Sequence, residues 1–266
     1  LERYIEKNTQ PIFSGTVELD EKTLTSRRLA HGSSYRIYIP YNKDHEYLMG
    51  CDPAAGDMAG NIMGDQNDSA IAILDRMTGE EAAVFNSSRP NPTDFARIAY
   101  AIGSEWGFPP SIADREGPGW TFLEELQRLK YPRLYQQEVF DFGLKTHRLV
   151  LGFRTTEDKK RAMYHKLRHL FKSEVVKVYD LLALEQLQNI VVRNKNGKEF
   201  IGQATKAVMD DLNSALALAV SCFRETNFSV KEQKVQDRPD PRGTPVKRAD
   251  GSILFWRKPE VKRDWC

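Results

Sequence analysis

The chain has 266 residues, of which 40% are hydrophobic and 29% charged, a composition that suits one folded α/β domain and excludes a disordered chain. No apolar run approaches the ~18 residues of a membrane helix, and Glu2, Arg3, Glu6 and Lys7 leave no signal-peptide core in the first ten residues. Cys51, Cys222 and Cys266 lack CxxC or Cys/His spacing, which excludes a zinc module, argues against a disulfide scaffold and makes a reducing compartment the default.

A chain that begins at Leu1 is expected to be part of something longer. Residues 1–34 are polar with weak periodicity and read as a linker or lead-in arm. Tyr35, Ile37 and Ile39 alternate with Arg36 and Tyr38, a short strand that Pro40 ends. Tyr47 to Asp52 is a second, mostly apolar strand that closes on a carboxylate. A Gly-rich loop follows, with Gly56, Gly60 and Gly64. Ser69 to Leu74 and Glu81 to Asn86 read as two strands joined by a hairpin turn over Arg76 to Glu80. Pro92 to Trp106 is a helix with Phe95, Ile98, Ala99 and Ile102 on one face. Ser111 to Asp114 is a short strand, Trp120 to Leu129 a helix, and Arg133 to Gln136 another short strand. Thr156 to Lys172 is a basic helix whose first turn carries Glu157 and Asp158, as its dipole favours. Leu181 to Val191 is a helix, followed by a turn through Asn196-Gly197. Thr205 to Phe223 is the last long helix. From residue 226 onward the chain is rich in proline and charge and reads as a basic, flexible tail. Strands first, then alternating helices and strands, predict one mixed α/β sheet with helices on its faces over residues 35–225.

The small net charge of +2 hides a strong asymmetry. Between Phe142 and Lys172 there are nine Lys/Arg against two Asp/Glu, or +7. From Lys231 onward there are ten against six, or +4, so the remainder carries −9. A polyanion-binding face beside an acidic pocket has this pattern, and so does a solvated helix face.

Three carboxylate positions share a context. Asp52 and Asp114 each close a short apolar strand, and Asp210-Asp211 opens the helix that carries Leu212, Leu216, Ala219, Val220 and Phe223. Strand ends and a helix start can converge on one edge of a sheet. Several carboxylates there repel one another unless hard divalent cations such as Mg²⁺ or Mn²⁺ join them. Two such ions suit phosphodiester hydrolysis. At least three carboxylates are then expected within metal-bridging reach. Each position also has a structural reading: a helix cap for Asp210, a strand-to-turn pair for Asp52-Pro53, an ion pair for Asp114, and turns for Asp57, Asp65 and Asp68.

Four motifs in order carry a family resemblance. Gly50-Cys51-Asp52-Pro53-Ala54-Ala55-Gly56 with Asp68-Ser69-Ala70 resembles the G-x-D-P-A-x-G…D-S-A start of the nuclease domain of the large terminase subunit, the DNA-packaging motor of tailed bacteriophages. Asp114-Arg115-Glu116-Gly117-Pro118-Gly119 resembles its E-x-N-G-x-G strand end. Thr155-Thr156…Lys159-Lys160 resembles its T-T-x-x-K, and Asp210-Asp211-Leu212 with Ala215 to Ala219 its D-D-x-x-x-A-L-A-L-A helix. The match covers roughly residues 36–223.

The resemblance implies an RNase H-like fold and a two-metal endonuclease that cuts double-stranded concatemeric DNA during packaging. Asp52, Asp114, Asp210 and Asp211 would be its catalytic metal ligands, with Glu116 and Asp68 as further candidates and Asp57 and Asp65 open. Glu116 stands where the family has Asn, and Met209 where a His often precedes the aspartate pair. The cofactor implied is a pair of Mg²⁺ or Mn²⁺ ions. The partners implied are double-stranded DNA, the portal protein and the small terminase subunit, with no membrane. The place implied is the host cytoplasm, at the viral procapsid. Lys159, Lys160, Arg161, Lys166 and Arg168 would contact phosphates. No GxxxxGK[ST] stands in this chain, so residues 1–34 would be the end of a missing packaging ATPase region. The alternatives are another RNase H-like enzyme of resolvase or transposase type, a DNA-gripping or portal-docking module without catalysis, and, more remotely, a calcium loop over Asp52–Asp68. That stretch lacks the D-x-[DN]-x-[DN]-G spacing of a calcium loop.

Overall fold

The computed structural model describes residues 10–56, 67–141, 143, 145–195, 198–204, 209–221, 244–247 and 253–257. The chain divides into two compact units, residues 1–228 and 229–266. The larger is built on a seven-stranded sheet in the order β2-β1-β3-β6-β5-β4-β7. Its strands are β1 (Phe13–Asp20), β2 (Thr25–Leu29), β3 (Tyr35–Ile37), β4 (Tyr47–Asp52), β5 (Ser69–Asp75), β6 (Glu81–Ser87) and β7 (Ser111–Ala113). Neighbours run antiparallel except β4 and β7, which run parallel.

Alternation along the strands divides the core into two layers. Met49, Cys51, Ile71 and Ile73 face one side and pack with Phe95, Ile102, Phe122 and Leu126 from α1 (Pro92–Glu105) and α2 (Pro118–Arg128). Leu48, Ala70, Ala72 and Leu74 face the other. They pack with Met163 and Leu167 of α3 (Glu157–Lys172), Ala183 and Leu184 of α4 (Leu181–Asn189), and Leu212 and Leu216 of α5 (Asp211–Ser221). Because both faces are covered, β4 and β5 are almost continuously apolar, which is what made them legible.

Three of the helices are capped by side chains of the expected kind. Asn91 caps α1, Thr156 caps α3 and Asp180 caps α4, each side chain accepting a backbone N–H. Two glycines set close contacts around the strand ends. A Cβ on Gly50 would collide with the Ala215 carbonyl, so glycine lets α5 lie directly on β4. Gly119 likewise brings the first turn of α2 against the Asp114 carbonyl.

Several elements differ from expectation. The stretch read as an arm contributes β1 and β2 to the sheet. Phe13, Gly15, Val17 and Leu19 face inward while Ser14, Glu18 and Asp20 face solvent, an alternation diluted by a glycine and polar edge residues. An unforeseen hairpin, β8 (Gln136–Asp141) and β9 (Thr146–Leu151), follows the short Arg133–Gln136 segment. The helix expected to reach Val191 ends at Asn189, where β10 (Ile190–Lys195) begins and pairs with β11 (Lys198–Gln203). The Asn196-Gly197 turn itself lies outside the described residues. The last helix is described from Asp211 to Ser221, and Asp57 and Asp65 lie outside the described residues. In the smaller unit, where a tail was expected, β12 (Thr244–Lys247) and β13 (Ile253–Arg257) form an antiparallel hairpin.

Candidate active site

The acidic positions meet where β4, β7 and α5 come together. β4 and β7 pair in parallel, with Cys51 opposite Ala113. One residue further sets Asp52 beside Asp114, at a neighbouring-strand spacing of about 4.8 Å. Both follow the parity of Leu48 and Ile112, so they point to the layer that holds α5. The Gly50 contact then brings the start of α5, with Asp210 and Asp211, over the same strand ends.

Each carboxylate is held differently. Asp211 is buried and its Oδ2 accepts the Asp68 N–H at 3.0 Å. Asp210 is turned to three partners: the Tyr164 hydroxyl at 2.9 Å, the Gln203 amide at 2.9 Å and Lys160 Nζ at 3.4 Å. Asp114 Oδ1 accepts the backbone N–H of Glu116 at 3.1 Å and of Thr155 at 3.4 Å. Gln186 Oε1 accepts the Leu212 and Asn213 N–H groups, satisfying the first turn of α5 from the side.

The electrostatics are those of a site short of positive charge. Burial, then the charges of Asp211, Asp210 and Asp114, push the Asp52 carboxyl up to about 8, against the pull of Lys160. Burial also lifts Asp211, with Asp210 and Asp68 adding to it, to about 7. Tyr164 is raised well above its usual range, first by burial and then by Asp210. The cluster therefore retains protons near neutral pH. Its donors are all hard oxygens, the set that Mg²⁺ and Mn²⁺ prefer over soft metals.

Metal-bridging reach was expected for at least three carboxylates and is not found. Among the described residues no group of three His, Cys, Asp or Glu side chains converges tightly enough to hold an ion as it stands. Asp210 is drawn toward Tyr164, Gln203 and Lys160, and one Asp114 oxygen is taken up by two backbone amides. Glu116 is exposed and pairs with Arg154 at 2.9 Å, while its backbone N–H serves Asp114. Asp68 joins through its backbone, and its side chain accepts from Asn86 at 2.7 Å.

The basic helix is divided in use. Lys160 turns to Asp210 and the Tyr164 ring, and Lys159 lies over the Phe153 ring at 5.0 Å. Arg161 pairs with Asp158 at 2.8 Å, and Lys166 is half-buried. Arg168, one helical turn beyond His165, lines a groove of about 530 Å³ with Phe171, Leu187 and Ile201. Sequence reasoning missed Tyr164, Gln203, Gln186 and Asn86. Only Tyr164 had a signal, four residues after Lys160 on the inward helix face.

No protein-family model matches the chain, and no curated protein matches it. Solved structures do. The large terminase nuclease from thermophilic phage G20c with bound magnesium superposes with a TM-score of 0.57 at 21% identity, over 80% of this chain and 93% of that one. The same nuclease with bound cobalt gives 0.56 at 21% identity, over 80% and 94%. The Thermus phage P74-26 large terminase nuclease domain gives 0.54 at 17% identity, over 77% and 89%. The fold is that of a large terminase nuclease domain. The RNase H-like mixed sheet flanked by helices, expected from the motifs, is thus the architecture found. Within this terminase nuclease fold, β1 and β2 extend the sheet beyond β3, on the side away from Asp52.

Proposed function

We propose that the chain is the nuclease domain of a phage large terminase subunit, a metal-dependent endonuclease that cuts double-stranded concatemeric DNA during genome packaging. One observation carries the reading. Asp52, Asp114, Asp210 and Asp211 meet at one edge of this sheet, close enough to raise the Asp52 carboxyl, with Lys160 the cation that opposes them. The likeness to a terminase nuclease with bound magnesium supports it.

Asp52, Asp114 and Asp211 would hold the metal, with Asp210 completing the set. Two Mg²⁺ or Mn²⁺ ions would supply an activated water and neutralise charge at the leaving 3′ oxygen. The protein's own groups prepare that geometry. The Asp68 N–H aims Asp211, Tyr164 and Gln203 fix Asp210, and the amides of Glu116 and Thr155 orient Asp114. Lys160 offsets part of the negative charge and would be available to a scissile phosphate. Arg161, Lys166, Arg168 and Lys159 would track the DNA backbone, giving affinity with little sequence information. The portal protein and the small subunit would select when and where the enzyme cuts, at the procapsid in the host cytoplasm.

Supercoiled plasmid tests this. We expect nicking and linearisation in Mn²⁺ or Mg²⁺, weaker cutting in Ca²⁺, and none in EDTA. Full cleavage in EDTA, or none in any divalent metal by folded protein, would overturn it.

A further inference from the structure

A chain of hydrogen bonds leads from the sheet interior to Asp211. Arg36, on β3, donates from Nη1 to the Ser33 carbonyl, from Nε to Asp180 and from Nη2 to Asn86 Oδ1 at 2.9 Å. Asn86, near the end of β6, donates from Nδ2 to Asp68 Oδ2 at 2.7 Å. Asp68 in turn donates its N–H to Asp211. The strand register puts these groups in one row. Asp52 pairs with Ala70, Ala70 with Asn86, and the Asn86 N–H donates to the Ser34 carbonyl. Paired residues share a sheet face, so Asn86 and Asp52 look into the same layer.

The chemistry at position 86 is narrow. Arg36 offers only donors, and the Asp68 carboxylate only acceptors. A side chain between them must accept on one side and donate on the other, which a short amide does. Asp68 also ends the Gly-rich stretch that follows Asp52, so its placement decides where its N–H meets Asp211.

We propose that Asn86 is a positioning residue of the acidic site: anchored by Arg36, it fixes Asp68 so that the Asp68 N–H aims Asp211. The proposal rests on the metal-nuclease reading only for its consequence in catalysis. Loss of Asn86 loosens Asp68 and Asp211, and so weakens metal binding without touching DNA contacts.

The test compares wild type, Asn86→Asp and Asn86→Ala. Asn86→Asp keeps an oxygen for Arg36 but has no donor for Asp68, so a role limited to anchoring Arg36 survives it and a positioning role does not. In metal-free protein, hydrogen exchange at the Asp68 amide should quicken about tenfold in both variants, the equivalent of one lost hydrogen bond to a charged group. In Asn86→Ala the Mn²⁺ concentration for half-maximal plasmid nicking should rise about tenfold, with DNA affinity unchanged. Wild-type exchange at Asp68 in both folded variants would overturn the proposal. Failure of wild type to cut in any metal would instead refute the nuclease reading, and the exchange comparison would still decide the role of Asn86.

Discussion

Two groups of carboxylates lie on the same face of one sheet, and the protein treats them in opposite ways. Around Asp180 nearly every oxygen has a donor. Its Oδ2 accepts from Arg36 and from the Tyr38 hydroxyl at 2.7 Å, and its Oδ1 caps α4 at the Ala183 N–H. The neighbouring Glu81 accepts the N–H groups of Tyr179 and Asp180. Burial and Asp180 raise Glu81, but Arg36 stands in the cluster as a resident counter-charge. Around Asp52, among the described residues, the cation set against the carboxylates is Lys160, and no arginine takes the place that Arg36 has beside Asp180. Four carboxylates face one lysine, and burial together with mutual repulsion lifts Asp52 to about 8. A compensated cluster holds the fold. An uncompensated one, at an edge, keeps protons near neutral pH, as the proposed cation site would until an ion replaces them.

The widest separation between the clusters should appear in activity. Asp211→Asn should reduce Mn²⁺-dependent cleavage by about 10³-fold with the fold retained, since it removes charge the metals require. Glu81→Gln should leave cleavage near wild type. Equal losses in both variants would remove the distinction.

Stability should reverse the order. Asp180→Ala strips Arg36 of its partner and α4 of its cap, and should destabilise by about 3–5 kcal/mol in chemical denaturation. Asp52→Asn should not destabilise metal-free protein at pH 8. A loss below ~1 kcal/mol for Asp180→Ala would show that the compensated cluster is not structural.

The pH dependence follows from the sign of the shifts. A carboxyl whose folded pKa is raised contributes stability below its unfolded value near 4, and that contribution is lost as pH rises through the folded value. For Asp211 and Asp52 those folded values are about 7 and about 8. Asp52→Asn should therefore gain on wild type between about pH 4 and pH 8, at ~1.4 kcal/mol per pH unit and by up to about 5 kcal/mol, and level off above. A difference independent of pH would contradict the charge assignment.

The smallest effect concerns DNA. If about four cations of the basic region touch phosphates, log Kd against log salt should have a slope magnitude near 3.6 on duplex DNA. Lys159→Ala with Lys160→Ala should lower it by ~1.8 if both reach phosphates. Lys160 already faces Asp210, so a smaller change would place it in the acidic cluster and not on the DNA track.

The acidic cluster was more legible in the sequence than its supports. Asp52 and Asp114 end apolar strands and Asp210-Asp211 opens an apolar helix, so strand and helix periodicity alone place them at element ends. The supports come from distant segments through single contacts. Gln203, itself half-buried, reaches Asp210 from the end of β11, and Asn86 reaches Asp68 from near the end of β6; nothing local marks either. β1 was hidden for another reason. Its inward residues include Gly15 between Phe13 and Val17, and its edge neighbour β2 is mostly polar. The hairpin of β8 and β9 has no fully buried residue among those described, and Phe140 and Leu149 are themselves exposed, so no inward apolar face marks it in the sequence.

The central claim is that the Asp52 cluster is a cation site held in protonated readiness. Calorimetric titration of Mn²⁺ into metal-free protein at pH 7, in two buffers of different ionisation enthalpy, tests it most directly. Because Asp52 and Asp211 titrate near 8 and 7, binding should release about one proton, and Asp52→Asn should weaken both the binding and the release. Binding without proton release, or unchanged binding by Asp52→Asn, would contradict the account.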